Sequence, residues 1–260
     1  VSPPREEARL RAELPVYIGS FNQPSYVRQI VETLLANGFG NVIVADNAST
    51  SPKTLDLLAE LDGRTSVRVW RIGENVGPNR TVQRIRKREK VSFAFSDPDL
   101  ALAAVLPDDF VVRLFDLSRR YRARKVGLAL EIPSPEEARD LRFVQKGLGE
   151  FTVQEWEAQF WKTEVEPGVY RANVDTTFFV WNREVRVDLR RDYMELRSVI
   201  RPGRIARRLP HIGPTDLRVA LPGFVARHLP WYKDDRFPED ERAYYLQSTS
   251  YASTWLRNSA

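Results

Sequence analysis

Val91-Ser92-Phe93-Ala94-Phe95-Ser96-Asp97-Pro98-Asp99 is a largely apolar run that stops at two carboxylates. A short apolar stretch bounded by turn-forming residues reads as a buried strand. Asp97 and Asp99 then stand where that strand runs out. Hard divalent cations take oxygen ligands, and Mg²⁺ is commonly held by one or two carboxylates together with substrate phosphates. The pair marks a place to hold a metal and a diphosphate, although the isolated Ser96-Asp97-Pro98-Asp99 also suits an ordinary turn.

Working outward, the same alternation recurs upstream. Val16-Tyr17-Ile18 is an apolar run that leads through Gly19-Ser20-Phe21-Asn22-Gln23 to Pro24, a residue suited to the first turn of a helix. Val27, Ile30, Val31, Leu34 and Leu35 recur at helical spacing, and Gly38 ends that helix. Val42-Ile43-Val44-Ala45 predicts a second strand, closed by Asp46-Asn47-Ala48-Ser49, with a helix through Leu55, Leu58 and Leu61 after it. Val67-Arg68-Val69-Trp70 predicts a third strand and residues 91–95 a fourth. Pro107-Asp108-Asp109 opens a helix through Phe110, Leu114 and Leu117, and Val126-Gly127-Leu128-Ala129-Leu130 is a fifth strand. Strands alternating with helices imply βαβ units, hence an α/β fold with a mainly parallel central sheet. In such sheets ligands bind outside the carboxyl ends of the strands. Asp46, Asp97 and Asp99 all fall there, on one rim.

Downstream the pattern loosens. Residues 133–150 are charged and loop-like, with a helix expected over 135–141. Trp156, Phe160 and Trp161 lie among acids, residues 174–181 read as a strand, 183–208 as a strongly basic loop, and the tail from Glu241 as a helix. With no repeats and no low-complexity linker, the expectation is one domain over 1–260.

Composition narrows the chemistry. With 42% hydrophobic and 29% charged residues, the chain has material for a core and is not of the disordered class. It has no Cys, which removes disulfides, thiolate metal sites and a Cys nucleophile, and fits a reducing compartment. Two His nearly exclude a multi-His zinc site. No apolar stretch nears the roughly 20 residues of a membrane span. Residues 1–13 are charged and Pro-rich, so no signal peptide is expected; Val at position 1 fits a trimmed chain. The net charge of +5 gathers in patches at 80–90, 119–125 and 183–208, which suit an anionic membrane, a phosphorylated substrate or nucleic acid, or simply a solvated Arg-rich surface.

Four segments together resemble the family 2 glycosyltransferases and their relatives with the GT-A fold. Pro15-Val16-Tyr17-Ile18 through Phe21-Asn22 resembles that family's first strand and loop. Ile43-Val44-Ala45-Asp46-Asn47-Ala48-Ser49 resembles its V-D-N-x-S element, Glu74-Asn75-Val76-Gly77-Pro78-Asn79-Arg80 its N-x-G loop, and Ser96-Asp97-Pro98-Asp99 its DxD metal motif. The likeness covers roughly 14–131 well and 174–235 more loosely. It implies a GT-A type, Rossmann-like α/β/α sandwich, with a nucleotide-sugar-binding half over about 14–131 and an acceptor-binding half over about 132–260.

The resemblance also implies roles. Asp46 would accept a hydrogen bond from the base, Ser20 would reach base or ribose, Asn75 and Gly77 would shape a loop near the nucleotide, and Arg80 would face the phosphates. Asp97 and Asp99 would organise Mn²⁺ or Mg²⁺ on the diphosphate, with His228 a further metal ligand and Arg227 a phosphate partner. Pro98 departs from the polar residue often found between the two carboxylates. An inverting transferase needs a carboxylate base for the acceptor hydroxyl. Asp175 is the first candidate, with Glu155 and Glu157 behind it. The implied partners are a nucleoside-diphosphate sugar, most readily a UDP-sugar, and a glycan or lipid-linked acceptor in cell-surface polysaccharide synthesis. Nucleic acid is not expected. The setting would be cytoplasmic, with peripheral contact to an anionic membrane face open through 183–208.

Two rivals stand beside this reading. A sugar nucleotidyltransferase would carry a basic residue in the loop after the first strand, and Gly19-Ser20-Phe21-Asn22-Gln23-Pro24 has none. A non-catalytic nucleotide- or nucleic-acid-binding module would use the basic patches and would bind with strong salt dependence.

Overall fold

The computed structural model describes residues 3–145, 149–186 and 215–249. Strands β1 (Val16–Ser20), β2 (Val42–Asp46), β3 (Val67–Arg71) and β4 (Phe93–Ser96) lie parallel in the order β3-β2-β1-β4. Their alternation sorts side chains onto two faces. Val16, Ile18, Val42, Val44 and Ala94 join one core with helices α2 (Pro24–Ala36), α3 (Pro52–Asp62) and α5 (Phe110–Tyr121). Tyr17, Ile43, Ala45, Phe93 and Phe95 form a second core on the opposite face, with Ile85 of helix α4 (Gly77–Arg88). Helix α1 (Pro3–Glu13) packs on α5, and the buried Glu7 carboxylate accepts the N–H groups of Val111 and Val112 in α5's first turn. Those are donors a helix start leaves without partners.

Beyond β4 the sheet is mixed, not mainly parallel as expected. It continues through β11 (Phe179–Trp181), β6 (Lys125–Leu130), β12 (Leu217–Val219), β10 (Val169–Arg171) and β9 (Glu164–Glu166). β11 runs antiparallel to both β4 and β6, and β10 antiparallel to β12 and β9. Apolar content predicts that a strand is buried but says nothing of its direction. β11 can pack close to β6 because of Gly127: a Cβ there would lie 2.6 Å from Val174 Cγ1 and 2.9 Å from the Phe178 carbonyl. Strand β13 (Val225–His228) runs parallel to β6 and antiparallel to the short β5 (Leu100–Ala101). A hairpin of β7 (Arg142–Gln145) and β8 (Gly149–Thr152) stands apart and leads into α6 (Val153–Ala158).

Other expectations shift. The predicted strand over 91–95 begins only at Phe93, and Val91 is exposed. The helix expected over 135–141 is a turn closed by an antiparallel bridge from Ala138 to Tyr232. Residues 174–178 are loop, so the strand expected there is confined to Phe179–Trp181. The basic run at 80–90 is mostly helix α4, buried at Gly77, Thr81 and Ile85. The expected tail helix is α7 (Glu239–Ser248). Most of the basic loop at 183–208 lies outside the described residues. Among the described residues no helix is long and apolar enough to cross a membrane.

Candidate functional site

The parallel order puts the carboxyl ends of β2, β1 and β4 side by side. Ser20 pairs with Asp46 across β1 and β2, and Ile18 pairs with Ser96 across β1 and β4. Two strand spacings put Asp46 and Asp97 roughly 10 Å apart along one rim. Between them, a Cβ built on Gly19 would lie 3.6 Å from Asp97 Oδ1, so that carboxylate lies over the end of β1.

Asp46 is almost wholly enclosed. Its carboxylate accepts the Ser49 N–H at 3.3 Å and pairs with Arg71 at 3.4 Å. Beside it the Ser20 hydroxyl is buried with no hydrogen-bond partner. Asn22, held at φ 52, laces the first loop to the second: its Oδ1 accepts from Thr50 N–H at 2.8 Å and Ser51 N–H at 2.9 Å. Asn75 Oδ1 accepts the Gly77 N–H at 3.2 Å and so shapes the entry to α4, while Arg80 is exposed on that helix.

Asp97 is tied to the loop that carries Asp175. Its N–H donates to the Thr176 carbonyl at 2.9 Å, and the Thr176 hydroxyl donates to its Oδ2. Burial pushes the Asp97 carboxyl well above the usual carboxylate range, the Asp99 charge adds to this, and Thr176 pulls it partway back. Burial likewise raises Asp99, against the opposing pull of His228. His228 Nε2 lies 3.5 Å from Asp99 Oδ2, brought there because β13 pairs with β5. The same imidazole packs on Trp231, ring centroids 4.6 Å apart. Arg227, the adjacent β13 residue, instead stacks on Tyr232 at 3.8 Å and pairs with Asp234 at 3.2 Å.

A cleft of about 630 Å³ gathers Asp97, Asp175 and His228. Asp175 is exposed in it, and the Asp175 carbonyl accepts from Lys125 Nζ at 2.9 Å. Burial lowers the Lys125 pKa, with Asp216 and Asp175 opposing that shift. On the cleft's inner wall Arg218 pairs with Glu157, both nearly inaccessible, and its guanidinium lies 4.0 Å from the Phe160 ring centroid. Burial pushes Glu157 up to about 7 despite that partner. Glu155 does not share this environment: it closes a capping box with Thr152 at the start of α6. Ser20, Asp46, Asn75, Arg80, Asp99 and Arg227 do not line the cleft. Lys125, Thr176, Asp216 and Arg218, which do, carry no sequence signal of their own: each is an ordinary polar residue within or beside an apolar run.

The three expected metal ligands do not form a ready-made cage. Among the described residues no three carboxylate or imidazole side chains converge as a metal-binding group. Asp97 is turned to Thr176 and Asp99 to His228, so the two carboxylates face different neighbours. Two observations still fit a hard cation. Asp99 Oδ1 and His228 Nδ1 are buried without hydrogen-bond partners. The two raised carboxylates are also the kind of site whose charge a divalent ion offsets. A cation needing only one or two protein carboxylates, with water and phosphate completing its shell, matches this donor set.

No protein-family model matches the chain, and no curated protein matches it. Among solved structures, the mannosyltransferase PcManGT from Pyrobaculum calidifontis, in complex with GDP-Man and Mn²⁺, is 11% identical with a TM-score of 0.44 over 68% of this chain and 46% of its own. The apo structure of WbbM, a bifunctional glycosyltransferase, is 11% identical with a TM-score of 0.38 over 66% of this chain and 31% of its own. The chain thus spans less than half the length of either. Overlaps this loose decide nothing about chemistry, which rests on the cleft's own residues.

Proposed function

We propose that the cleft transfers a sugar from a nucleoside-diphosphate sugar, with a UDP-sugar as the leading donor, to a hydroxyl of a glycan or lipid-linked acceptor, inverting the anomeric centre. The observation that carries this reading is the single cleft lined by Asp97, Asp175 and His228, which belong to three separate stretches of chain.

In this reading Asp97 and Asp99, with His228 beside them, would hold a divalent cation, which would supply charge compensation for the diphosphate. Ser20, with its buried hydroxyl lacking a partner, and Asp46, at the same rim, face the nucleoside. Asp175 takes the proton of the acceptor hydroxyl as its oxygen attacks the anomeric carbon. The bond from that carbon to the diphosphate breaks, and the electron pair leaves with the phosphate. Lys125 and Arg218 line the same cleft and interact electrostatically with Asp175. Trp156 and Phe160, in the wall of the cleft, offer apolar faces to a sugar ring. The setting that suits a lipid-linked acceptor is the cytoplasmic face of a membrane.

A thermal-shift panel of UDP, GDP, ADP and CDP, with and without Mn²⁺, tests the donor half. A rise with UDP that needs the metal and disappears in Asp97→Asn supports the reading; silence toward every nucleotide sinks it.

A further inference from the structure

Asp175 sits on irregular backbone, residues 172–178, that precedes β11 and does not pair as a strand. Its seat is one face of β6 and β12. Lys125 and Gly127 are two positions apart on β6 and so share a face. Arg218 of β12 is the register partner of Gly127, and side chains paired across strands lie on the same face. Gly127 makes the seat: a Cβ there would lie 2.6 Å from Val174 Cγ1, so the segment crosses the sheet directly over it. Two long cationic side chains flank that crossing.

In a cleft read as a diphosphate site, a Lys and an Arg suggest phosphate ligands. Here both direct donors at the backbone of this segment. Lys125 Nζ donates to the Val174 carbonyl and, at 2.9 Å, to the Asp175 carbonyl. Arg218 Nε donates to the Asn173 carbonyl at 2.8 Å, while its Nη1 donates to Glu157. Two side chains thus hold three consecutive carbonyls. Asp216 takes the N–H groups: its Oδ2 accepts from Val174 and its carbonyl from Ala172, each at 3.2 Å. Past Asp175, Thr176 is bonded twice to Asp97, and the Thr177 hydroxyl donates to the Leu128 carbonyl at 3.2 Å. The Lys125 ammonium is itself seated 4.2 Å from the Phe179 ring centroid. A loop is a less precise platform for a reacting group than a strand or helix, and donors projecting from the rigid sheet remove that freedom.

We propose that Lys125 is a positioning residue of this site: its ammonium fixes the backbone of Val174 and Asp175, and so sets where the Asp175 carboxylate and, through Thr176, the Asp97 carboxylate stand. Naming Asp175 the proton acceptor rests on the glycosyl-transfer reading of the cleft; the tether itself does not.

The chain has no Cys, so Lys125→Cys introduces a single thiol, and bromoethylamine converts it to a thioether carrying an ammonium at nearly the reach of Lys. Lys125→Met removes the ammonium but keeps an unbranched stem, and serves in its place if the Cys variant does not fold. Amide hydrogen exchange at Val174 and Asp97 reads the tether. Both amides should exchange at least about tenfold faster in Lys125→Met and in unmodified Lys125→Cys, the effect of two lost hydrogen bonds of ordinary strength. Amides of β2 should keep their native rates, and aminoethylation should restore Val174 and Asp97. Release of UDP from UDP-glucose and UDP-N-acetylglucosamine with Mn²⁺, water serving as acceptor, reads the site. There kcat should fall by about 10²-fold with KM unchanged, and recover with the ammonium. Unchanged exchange at Val174 and Asp97 overturns the proposal. So does acceleration spread evenly over the sheet, failure of the restored ammonium to slow exchange, or a raised KM at constant kcat, which would make Lys125 a donor ligand. Selective, reversible acceleration in a protein that releases no UDP keeps the tether and removes the UDP-sugar reading.

Discussion

Thr176 holds Asp97 from two directions: its carbonyl accepts the Asp97 N–H at 2.9 Å, and its hydroxyl donates to the Asp97 carboxylate. The candidate metal carboxylate and the neighbouring candidate base, Asp175, are therefore parts of one hydrogen-bonded unit. Thr176→Ala should cost about 1–2 kcal/mol of stability, the usual cost of an abandoned buried acceptor. Thr176→Ser should restore most of it. Chemical denaturation of the three proteins, with donor turnover measured beside it, checks whether stability and activity fall together in the Ala variant and recover together in the Ser variant.

Asp175→Asn removes the proton acceptor but leaves the rim intact. Turnover should drop by about 10²–10⁴ while metal-dependent UDP binding is unchanged. A variant with full turnover would take the base away from Asp175 and return attention to Glu157.

His228→Ala takes one partner from Asp99 without touching Asp97. The Mn²⁺ concentration giving a half-maximal nucleotide response should rise by about 10-fold. Asp99→Asn should abolish the response. An unchanged Mn²⁺ requirement in His228→Ala would leave the imidazole as packing for Trp231 alone.

Glu157 gives a pH signature. Its folded pKa of about 7 lies above the ordinary value of 4.5, because burial disfavours the charged form. The folded state then binds more protons than the unfolded state between those values. This group's contribution is fully present below about pH 4.5 and is lost as pH rises toward 7 and beyond. The size is about 3 kcal/mol. Stability from urea titrations at pH 5 and pH 8 should show this loss in the native protein, and Glu157→Gln should lack it.

Gly127→Ala tests the strand insertion. The added methyl meets Val174, the Phe178 carbonyl and Phe179 at 2.6–2.9 Å, distances that force β6 and β11 apart. A loss of about 1–3 kcal/mol is expected from overpacking, read as a lower urea midpoint. A neutral substitution would mean the sheet is looser here than its register implies.

Much of the parallel half was legible in the chain. The runs at 16–18 and 42–45 carry their own burial signal, and Pro24 and Gly38 punctuate the helix between them. Helix α4 was missed because its buried face shows little beyond Gly77, Thr81 and Ile85 beneath a polar and basic surface. The 174–181 run reads as a strand, yet residues 174–178 are loop and only Phe179–Trp181 pairs, because Asp175, Thr176 and Thr177 make contacts outside the sheet's ladder. The Glu157–Arg218 pair was invisible as a pair, because nothing in two distant polar residues announces that they meet inside a wall.

Local sequence by itself determined where strands end and which carboxylates stand at those ends, since periodicity and turn chemistry act over a few residues. Only the tertiary structure decided which of them meet. Asp97 joins Asp175 through Thr176, Asp99 joins His228 through the pairing of β5 with β13, and Asp46 is enclosed with Arg71. Those encounters depend on strand order and direction, which are fixed by packing between segments far apart in the chain.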